Sequence, residues 1–289
     1  MLDIASIASI TAPMKKADAT AMSSKQKSTL DQIDLSAVPD KYYKRFREML
    51  YGYKDILNDD AEDIGHCKLM QQKIELKDPT QIACTPPYRV PPALQPVIDQ
   101  FVDKLLTARV IRKSNSPFSS PLMLVRKANA TPEMPIMEQY RVVNDFRKLN
   151  ANTIKDSYPM QNIYQLIDDV AGASIASVLD LRSAFFILSL EEKSRKFTNF
   201  PVQGKGLFEY CRSPQGLINS SSSFQRLLDQ IMSDIPKVRV YVDDIVVFSY
   251  SFEEHLTTLS KVLDKLRDCL LYTSPSPRDL STSRMPSSA

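Results

Sequence analysis

The stretch RVYVDDIVVFS, from Arg239 to Ser249, constrains the fold more than any other part of the sequence. Its flanks are rich in β-branched and aromatic residues, a composition that favours two short strands. Two adjacent carboxylates, Asp243 and Asp244, interrupt the apolar run. Such carboxylates repel each other and lose hydration, which is costly unless a cation neutralises them. The stretch therefore predicts a hairpin whose turn is either an ordinary aspartate-containing turn or part of a cation site.

A third aspartate, Asp180 in SVLDLRSAFF, follows another apolar, strand-like segment. If the two segments are neighbours in one sheet, Asp180 and Asp243 can share two divalent cations. Two metal ions about 3.5–4 Å apart are the recurring device for in-line attack at phosphorus. Oxygen ligands with open coordination positions suit Mg²⁺, which also accepts water and phosphate oxygens. In that arrangement the three aspartates suit phosphoryl-transfer chemistry, and an ordinary turn at Asp243 and Asp244 remains the alternative.

The periodicity of apolar residues predicts the secondary structure. Apolar side chains recur at helical spacing over 41–57, 97–106 and 224–235, in QNIYQLIDDV and over 256–270. Four serines, Ser220 to Ser223, are predicted to cap the free amide groups at the start of the helix that contains residues 224–235. SPLMLVRK and QYRVVNDFRKLN are predicted as strands joined by the polar loop ANATPEMPIME. Because strands and helices mix without strict alternation, we expect an α+β fold with a largely antiparallel sheet and packed helices.

Charge and composition limit the partners and the kinds of site. The formal net charge is only +3, but residues 86–150 carry ten Lys and Arg against five Asp and Glu. This basic segment suits a polyanion, although a solvated basic face is the simpler explanation. The four cysteines form no CxxC pair and only two histidines are present, so no zinc site is expected. No apolar run of about 18 residues predicts a membrane span, and no targeting signal is seen.

The two aspartate segments, LDLRSAFF and YVDDIVVFS, resemble the metal-binding motifs of reverse transcriptases. Further blocks come in the order found in Ty3/gypsy-type LTR retrotransposon polyproteins: YRVPP, VIRKSNSPFSSPLMLVRK, YRVVNDFRKLN, KDSYPM, SPQGLINSSSSFQRLLD and FEEHL. The resemblance covers approximately residues 59–270. Because all these blocks keep one order, it favours the cation-site interpretation of Asp243 and Asp244 over a simple turn.

The resemblance implies charged residues with defined roles. Asp180, Asp243 and Asp244 match the catalytic, metal-binding carboxylates, with Asp244 usually the less direct ligand. Lys127 and Arg141 match the basic pair that holds the triphosphate of the incoming nucleotide. Arginine can hold phosphate oxygens bidentately, and cations at this place neutralise developing charge. The alternative for both cations is ordinary surface charge.

Further residues match the nucleotide pocket and the primer site of the family. Phe185 matches the aromatic residue beside the 2′ position of the sugar, Gln215 and Gly216 match residues that line the pocket, and Tyr241 is implied to lie near the primer terminus. An ordinary core phenylalanine and an ordinary strand tyrosine are the alternatives for Phe185 and Tyr241.

The resemblance also implies a right-hand polymerase, with fingers from about Pro86 to Ala171 and a palm from about Ser174 to Ser249. The implied reaction is RNA-directed DNA synthesis from deoxynucleoside triphosphates on an RNA or DNA template with a primer. Two Mg²⁺ ions, or Mn²⁺ in their place, are the implied cofactors. The expected setting is a retroelement particle in the cytoplasm, or the nucleus.

We expect four segments: a flexible lead-in (1–40), an N-terminal helical and extended segment (41–85), the fingers and palm (86–272) and a disordered tail (273–289) that resembles adapter-derived, non-native sequence. The chain departs from the family at Ser221, where proline is usual, and in its long finger insert. The thumb, ribonuclease H and integrase segments of a polyprotein are expected outside this sequence. A decayed or repurposed fragment that binds nucleic acid without catalysis remains the alternative function.

Overall fold

The computed structural model describes residues 7–12, 35, 38–56, 65–181 and 184–271. The strands are β1 (Ile7–Ala12), β2 (Cys67–Gln72), β3 (Ile111–Lys113), β4 (Leu122–Arg126), β5 (Tyr140–Asn144), β6 (Ile175–Leu181), β7 (Leu188–Leu190), β8 (Phe200–Val202), β9 (Gly206–Tyr210), β10 (Val238–Tyr241) and β11 (Asp244–Ser249). The helices are α1 (Asp40–Gly52), α2 (Gln95–Thr107), α3 (Ile136–Gln139), α4 (Arg147–Asn152), α5 (Ile163–Val170), α6 (Glu192–Arg195), α7 (Ser220–Met232) and α8 (Phe252–Leu271).

The largest sheet has the strand order β1–β6–β11–β10. β11 runs antiparallel to both β6 and β10, whereas β1 runs parallel to β6. Asp180, near the end of β6, lies directly opposite Asp244, the first residue of β11. The two aspartate-bearing segments are therefore neighbours in one sheet, which is the condition under which Asp180 and Asp243 can share cations.

The large-sheet core forms where helices α7 and α8 pack against this sheet and α1 packs against α8. Each helix contributes an apolar face, and the sheet contributes alternate residues of its strands. The buried side chains include Phe46, Leu50, Leu179, Phe224, Leu228, Val240, Ile245, Val247, Leu259 and Val262. Because full burial of one such side chain is worth about 1.5–3 kcal/mol, this core fixes the strands that carry the aspartates.

A second core, the small-sheet core, surrounds the three-stranded sheet β3–β9–β8. It includes Val102, Leu105, Phe146, Leu149, Phe200, Phe208 and Tyr210. Residues 111–113 of β3 pair antiparallel with residues 208–210 of β9, so chain segments far apart in sequence share this core. The packing therefore crosses the fingers–palm boundary that the sequence predicted between Ala171 and Ser174.

The α+β class and most of the expected elements are confirmed, but the capping role of the four serines is wrong. They lie inside α7, which begins at Ser220 after the cap residue Asn219, and the Asn219 side chain makes no capping hydrogen bond. Ser220 is buried, and its hydroxyl lies 2.9 Å from the Ser213 hydroxyl and donates to the Pro214 carbonyl. These small hydroxyl groups join the helix start to the preceding loop instead of capping it.

The predicted flexible lead-in contains β1, which the structure places along β6. An unpaired strand edge presents free N–H and C=O groups, and β1 satisfies those of β6. The tail at 273–289 lies outside the described residues, so its disorder stays a prediction. Among the helices that the structure describes, none is long and apolar enough to cross a membrane.

Candidate active site

The hairpin between β10 and β11 turns through Val242 and Asp243, because Tyr241 pairs with Asp244. Val242 has a φ of 54°, a left-handed conformation that is unusual for a β-branched residue. The N–H of Leu181 donates to the Asp243 carbonyl at 3.1 Å, which joins the turn to the end of β6. The turn and the strand end thus bring Asp180, Asp243 and Asp244 to one edge of the sheet.

The carboxylates at this edge influence one another. Partial loss of hydration, together with the neighbouring charges of Asp243 and Asp180, raises the pKa of Asp244 above its ordinary value. Closely spaced carboxylates without a counter-charge disfavour the ionised form in this way. A bound cation would relieve this repulsion, so the electrostatics match the cation-site interpretation.

The donor set fits a hard divalent cation because it consists only of carboxylate oxygens. Within the described part of the chain, however, no group of three or more carboxylate, imidazole or thiol side chains is arranged to hold a metal ion. Mg²⁺ usually takes one or two carboxylates from the protein and fills its other positions with water and substrate phosphate oxygens. The aspartates therefore fit a site that substrate completes rather than a closed protein cage.

Gln225, a buried glutamine on α7 that the sequence did not predict as a site residue, supports the aspartate turn. Gln225 on α7 is fully buried, and its Oε1 accepts the N–H of Val242 at 2.8 Å. Its Nε2 donates to the carbonyl of Val240 at 2.9 Å. The side-chain amide thus satisfies backbone groups on both sides of Tyr241 and stabilises the left-handed residue of the turn.

The glutamine is itself held by a second layer of contacts. Its Nε2 also donates to Oδ1 of Asp229, one helical turn further along α7, at 2.9 Å. Tyr158, from the KDSYPM block, donates its hydroxyl to the other oxygen of Asp229 at 2.7 Å. Hydrogen bonding to this carboxylate is the main reason that the pKa of Tyr158 rises to about 12. A chain of side chains therefore runs from Tyr158 to the aspartate turn.

The predicted triphosphate-binding cations lie on the separate two-stranded hairpin β4–β5. Val125 pairs with Arg141, and the N–H of Lys127 continues the ladder by donating to the Gln139 carbonyl. Because side chains alternate along a strand, Lys127 falls on the same face as Arg141, and Arg126 falls on the opposite face. Neither Lys127 nor Arg141 has a side-chain hydrogen bond or ion pair within the described residues.

Phe185 and Tyr241 are both half-buried. The Phe185 ring packs against Phe224 of α7 with a centroid distance of 5.6 Å, and it lies against the large-sheet core. Part of the ring is therefore core packing, while the remainder is open to a ligand. Tyr241 ends β10 opposite Asp244, directly before the turn.

Gln215 and Gly216 are exposed in the loop before α7. Gly216 has a φ of 95°, which side-chain-bearing residues rarely adopt. A Cβ added there would meet the Phe146 ring at 3.6 Å and the Asn144 carbonyl at 4.0 Å, so the loop lies against the end of β5. The loop that contains Gln215 and Gly216 therefore lies next to β5, the strand that carries Arg141. No hydrogen bond among the described residues joins β5 to the three aspartates.

Comparison with known proteins places the chain in a family. The family described as "Reverse transcriptase (RNA-dependent DNA polymerase)" matches residues 125–276. The retrovirus-related Pol polyprotein from transposon gypsy of Drosophila melanogaster is 35% identical over 240 residues, covering 80% of this chain and 22% of that polyprotein. The enzymatic polyprotein of cauliflower mosaic virus (strain CM-1841) is 34% identical over 197 residues, covering 68% of this chain and 28% of that polyprotein.

Solved structures show the same fold. The foamy viral protease-reverse transcriptase in complex with an RNA/DNA hybrid matches with a TM-score of 0.72 at 22% identity, covering 88% of this chain and 33% of that one. Its complex with double-stranded DNA matches with a TM-score of 0.73 at 22% identity, covering 89% of this chain and 51% of that one.

The chain spans about a fifth of the length of the gypsy polyprotein, as its 22% coverage shows. The match to the family nevertheless covers more than half of this chain and includes all three aspartates. The right-hand fold and the resemblance inferred from the ordered blocks are confirmed. The chain belongs to the reverse transcriptase family and corresponds to the reverse transcriptase domain of a gypsy-type retrotransposon polyprotein.

Proposed function

We propose that this chain catalyses RNA-directed DNA synthesis by adding deoxynucleotides to the 3′ end of a primer. The observation that carries the proposal is the gathering of Asp180, Asp243 and Asp244 at the adjoining ends of β6 and β11. The family match supports the reaction. Similar solved proteins that hold an RNA/DNA hybrid or double-stranded DNA support a template–primer as the partner.

The three aspartates are proposed to hold divalent cations, which the reverse transcriptase family generally uses, and Mg²⁺ is the proposed ion. When bound, such ions neutralise charge on the triphosphate and activate the primer hydroxyl. The protein contributes carboxylate oxygens at a fixed backbone position. It fixes that position with the register of β6 and β11 and with the amide of Gln225 under the turn.

The hairpin β4–β5 is proposed to hold the triphosphate of the incoming nucleotide. Lys127 and Arg141 share one face and are free of carboxylate partners among the described residues, so their charge is available to a phosphate. The planar guanidinium of Arg141 can contact two phosphate oxygens at once. Arg126, on the other face, is not assigned this role.

The remaining residues are proposed to shape the nucleotide and primer sites. Gln215 and Gly216 are proposed to line the pocket beside β5, and Tyr241 is proposed to lie near the primer terminus. The open side of the Phe185 ring is proposed to pack against the sugar. A ring there leaves no room and no hydrogen-bond partner for a 2′-hydroxyl, the group by which proteins distinguish RNA from DNA.

The basic segment 86–150 is proposed to contact the phosphate backbone of the template–primer. Base pairing selects the sequence in such a reaction, while the protein recognises duplex shape and backbone charge. Binding should therefore weaken steeply as salt rises, because each neutralised phosphate releases counterions. The proposed setting is a retroelement particle in the cytoplasm, or the nucleus.

Primer extension with an Asp243→Asn variant tests the proposal. A primed RNA template, Mg²⁺ and deoxynucleotides are incubated with the wild type, with Asp243→Asn and with the control Asp168→Asn, which changes an exposed aspartate of α5. We expect extension by the wild type and the control, and a loss of at least about 10³-fold in Asp243→Asn, since one charged ligand is lost. Template binding should be similar in all three.

Two results would count against the proposal. Extension by Asp243→Asn at the wild-type rate would exclude the role of the aspartate. Template–primer binding without extension by the wild type would instead favour a fragment that binds nucleic acid without catalysis.

A further inference from the structure

The loop Pro214–Asn219, here called the pocket loop, is held by the side-chain amide of Asn150. Oδ1 of Asn150 accepts the N–H of Ile218 at 2.9 Å, and Nδ2 donates to the carbonyl of Gly216 at 2.8 Å. One amide thus spans the backbone on both sides of Leu217. This pattern is the one that a neighbouring β-strand would supply, but here a single side chain supplies it.

The end of the same loop is tied down by Asn219. Its Nδ2 donates to the carbonyl of Ile154 at 2.8 Å, and its Oδ1 accepts the N–H of Asp156 at 3.0 Å. Asn150 and residues 154–156 belong to one continuous stretch that begins on α4. Two asparagine amides therefore bind the pocket loop to that stretch.

Other hydrogen bonds also hold the pocket loop, since the Ser220 hydroxyl donates to the Pro214 carbonyl at 3.1 Å and the Ser220 N–H donates to the Leu217 carbonyl at 3.2 Å. Among the described residues, neither of these bonds involves Gly216 or Ile218. Gln215, Gly216 and Ile218 are exposed, whereas Leu217 is buried in the small-sheet core. Gly216 has a left-handed φ of 95°, a conformation that glycine readily leaves when nothing holds it. The two hydrogen bonds of Asn150 flank Leu217 and include the carbonyl of Gly216, so they fix the part of the loop that is proposed to line the nucleotide pocket.

We propose that Asn150 is a positioning residue for the incoming nucleotide, acting through the backbone of Gly216 and Ile218. The inference rests on the proposed function, because that function assigns Gln215 and Gly216 to the pocket. Asn150 itself contacts the loop and not the reacting atoms. Its role is to keep the pocket loop in the conformation that binds nucleotide.

This role predicts a specific kinetic signature. When only a fraction of the molecules has the binding-competent loop, the apparent dissociation constant rises by the inverse of that fraction. Loss of two hydrogen bonds should reduce the fraction enough to raise KM for deoxynucleotides about 5- to 30-fold. The kcat at saturating nucleotide should stay within about twofold, because bound nucleotide restores the loop.

Asn152 on the same helix provides a matched control. It is buried, its Oδ1 accepts the N–H of Asp78 at 3.0 Å, and its Nδ2 donates to the Asp78 carbonyl at 2.8 Å. Asn152→Ala therefore removes a comparable set of amide hydrogen bonds without touching the pocket loop. It should lower Tm while leaving KM for deoxynucleotides unchanged.

The experiment measures single-nucleotide insertion and amide hydrogen exchange on the full chain carrying Asn150→Ala, Asn219→Ala or Asn152→Ala. The proposal expects a raised KM and faster exchange over residues 215–218 in Asn150→Ala, neither in Asn152→Ala, and a similar change in Asn219→Ala if Asn150→Ala fails to fold. An unchanged KM in Asn150→Ala, or equal increases in Asn150→Ala and Asn152→Ala, would overturn it.

Hydrogen exchange separates this proposal from the proposed function. If the wild type does not extend a primer, the proposed function fails, and binding of a fluorescent deoxynucleotide replaces KM as the readout. Faster exchange with weaker nucleotide binding in Asn150→Ala then still supports the positioning role. Unchanged exchange over residues 215–218 overturns it whether or not the chain is active.

Discussion

The two hairpins that carry the proposed chemistry are held in opposite ways. The aspartate hairpin β10–β11 forms part of a four-stranded sheet, and its turn is fixed by the fully buried amide of Gln225. The basic hairpin β4–β5 forms a sheet of its own, and Lys127 and Arg141 are exposed with no side-chain partner among the described residues.

This difference follows from what each hairpin is proposed to hold. A metal site requires its ligands at defined positions, so a buried and fully hydrogen-bonded support is useful there. A triphosphate arrives from solvent and brings several negative charges, so exposed cations without carboxylate partners suit it. The aspartate hairpin should therefore be sensitive to changes behind it, and the basic hairpin only to changes on its surface.

Apart from substitution of the aspartates themselves, the largest effect is expected from Gln225→Leu, which keeps the volume of the side chain but removes its hydrogen bonds. The N–H of Val242 and the carbonyl of Val240 lose their partner, and the turn is free to shift. We expect kcat for primer extension to fall on the order of 10²-fold, since a displacement of about 1 Å can cost that much. Gln230→Leu, at an exposed position on the same helix, is the control. A folded Gln225→Leu variant with the wild-type rate would show that the turn holds itself.

Acid should weaken the packing around His255 in the large-sheet core while the Asp145 carboxylate still stabilises the other region. Burial lowers the pKa of His255 to about 4, and the Ser177 hydroxyl lies 2.8 Å from its Nε2. Below pH 6.5 the unfolded chain takes up a proton on this histidine that the folded chain does not. Stability should therefore fall by up to about 3 kcal/mol between pH 6.5 and pH 4.

The contrasting group in the other region is Asp145, whose pKa is lowered chiefly by its hydrogen bonds with Arg147. A carboxylate of this kind stabilises the fold above its unfolded pKa of about 3.8, and that stability is lost only at lower pH. Urea unfolding of the wild type and His255→Asn at pH 7 and pH 4.5 checks the difference. Equal losses of stability in both proteins would exclude His255 as the source.

Phe185→Val distinguishes a steric gate from core packing. If the open side of the ring excludes the 2′-hydroxyl, the variant should use ribonucleotides with a relative kcat/KM raised on the order of ten- to a thousandfold, or about 1.4–4 kcal/mol. If the ring serves only to pack against Phe224, the variant should lose roughly 1–4 kcal/mol of stability through a cavity. Thermal melting and single-nucleotide kinetics separate these results, and an unchanged ribo-to-deoxy ratio would exclude the gate.

On the basic hairpin itself, Arg141→Ala is expected to affect nucleotide binding and not folding. Loss of one charge-assisted contact with the triphosphate should raise KM for deoxynucleotides about 10- to 100-fold with little change in Tm. Arg126→Ala, which removes a cation from the opposite face of the hairpin, should leave KM unchanged. Equal effects of the two substitutions would mean that general surface charge, and not the face of the hairpin, matters.

The sequence was sufficient to predict the strands that carry the aspartates, because their flanks are rich in β-branched and aromatic residues. Two strand-like segments separated by a polar loop also predicted the basic hairpin. The supports were not predictable: Gln225 bonds residues 15 and 17 positions away, and Asn150 bonds residues more than 60 positions away. Neither set of hydrogen bonds produces a periodic pattern in the nearby sequence from which it could be predicted. The pairing of β9 with β3 was missed for the same reason, since long-range pairing leaves no trace in a short window.

Binding of Mn²⁺ in place of Mg²⁺ tests the central claim, that the three aspartates form a cation site completed by substrate. Bound ions are counted from the loss of the free Mn²⁺ signal in electron paramagnetic resonance, with a deoxynucleotide and a dideoxy-terminated primer on an RNA template. The account predicts about two ions per wild-type chain and an affinity at least about tenfold weaker in Asp180→Asn. Equal binding of Mn²⁺ by the wild type and Asp180→Asn would contradict it.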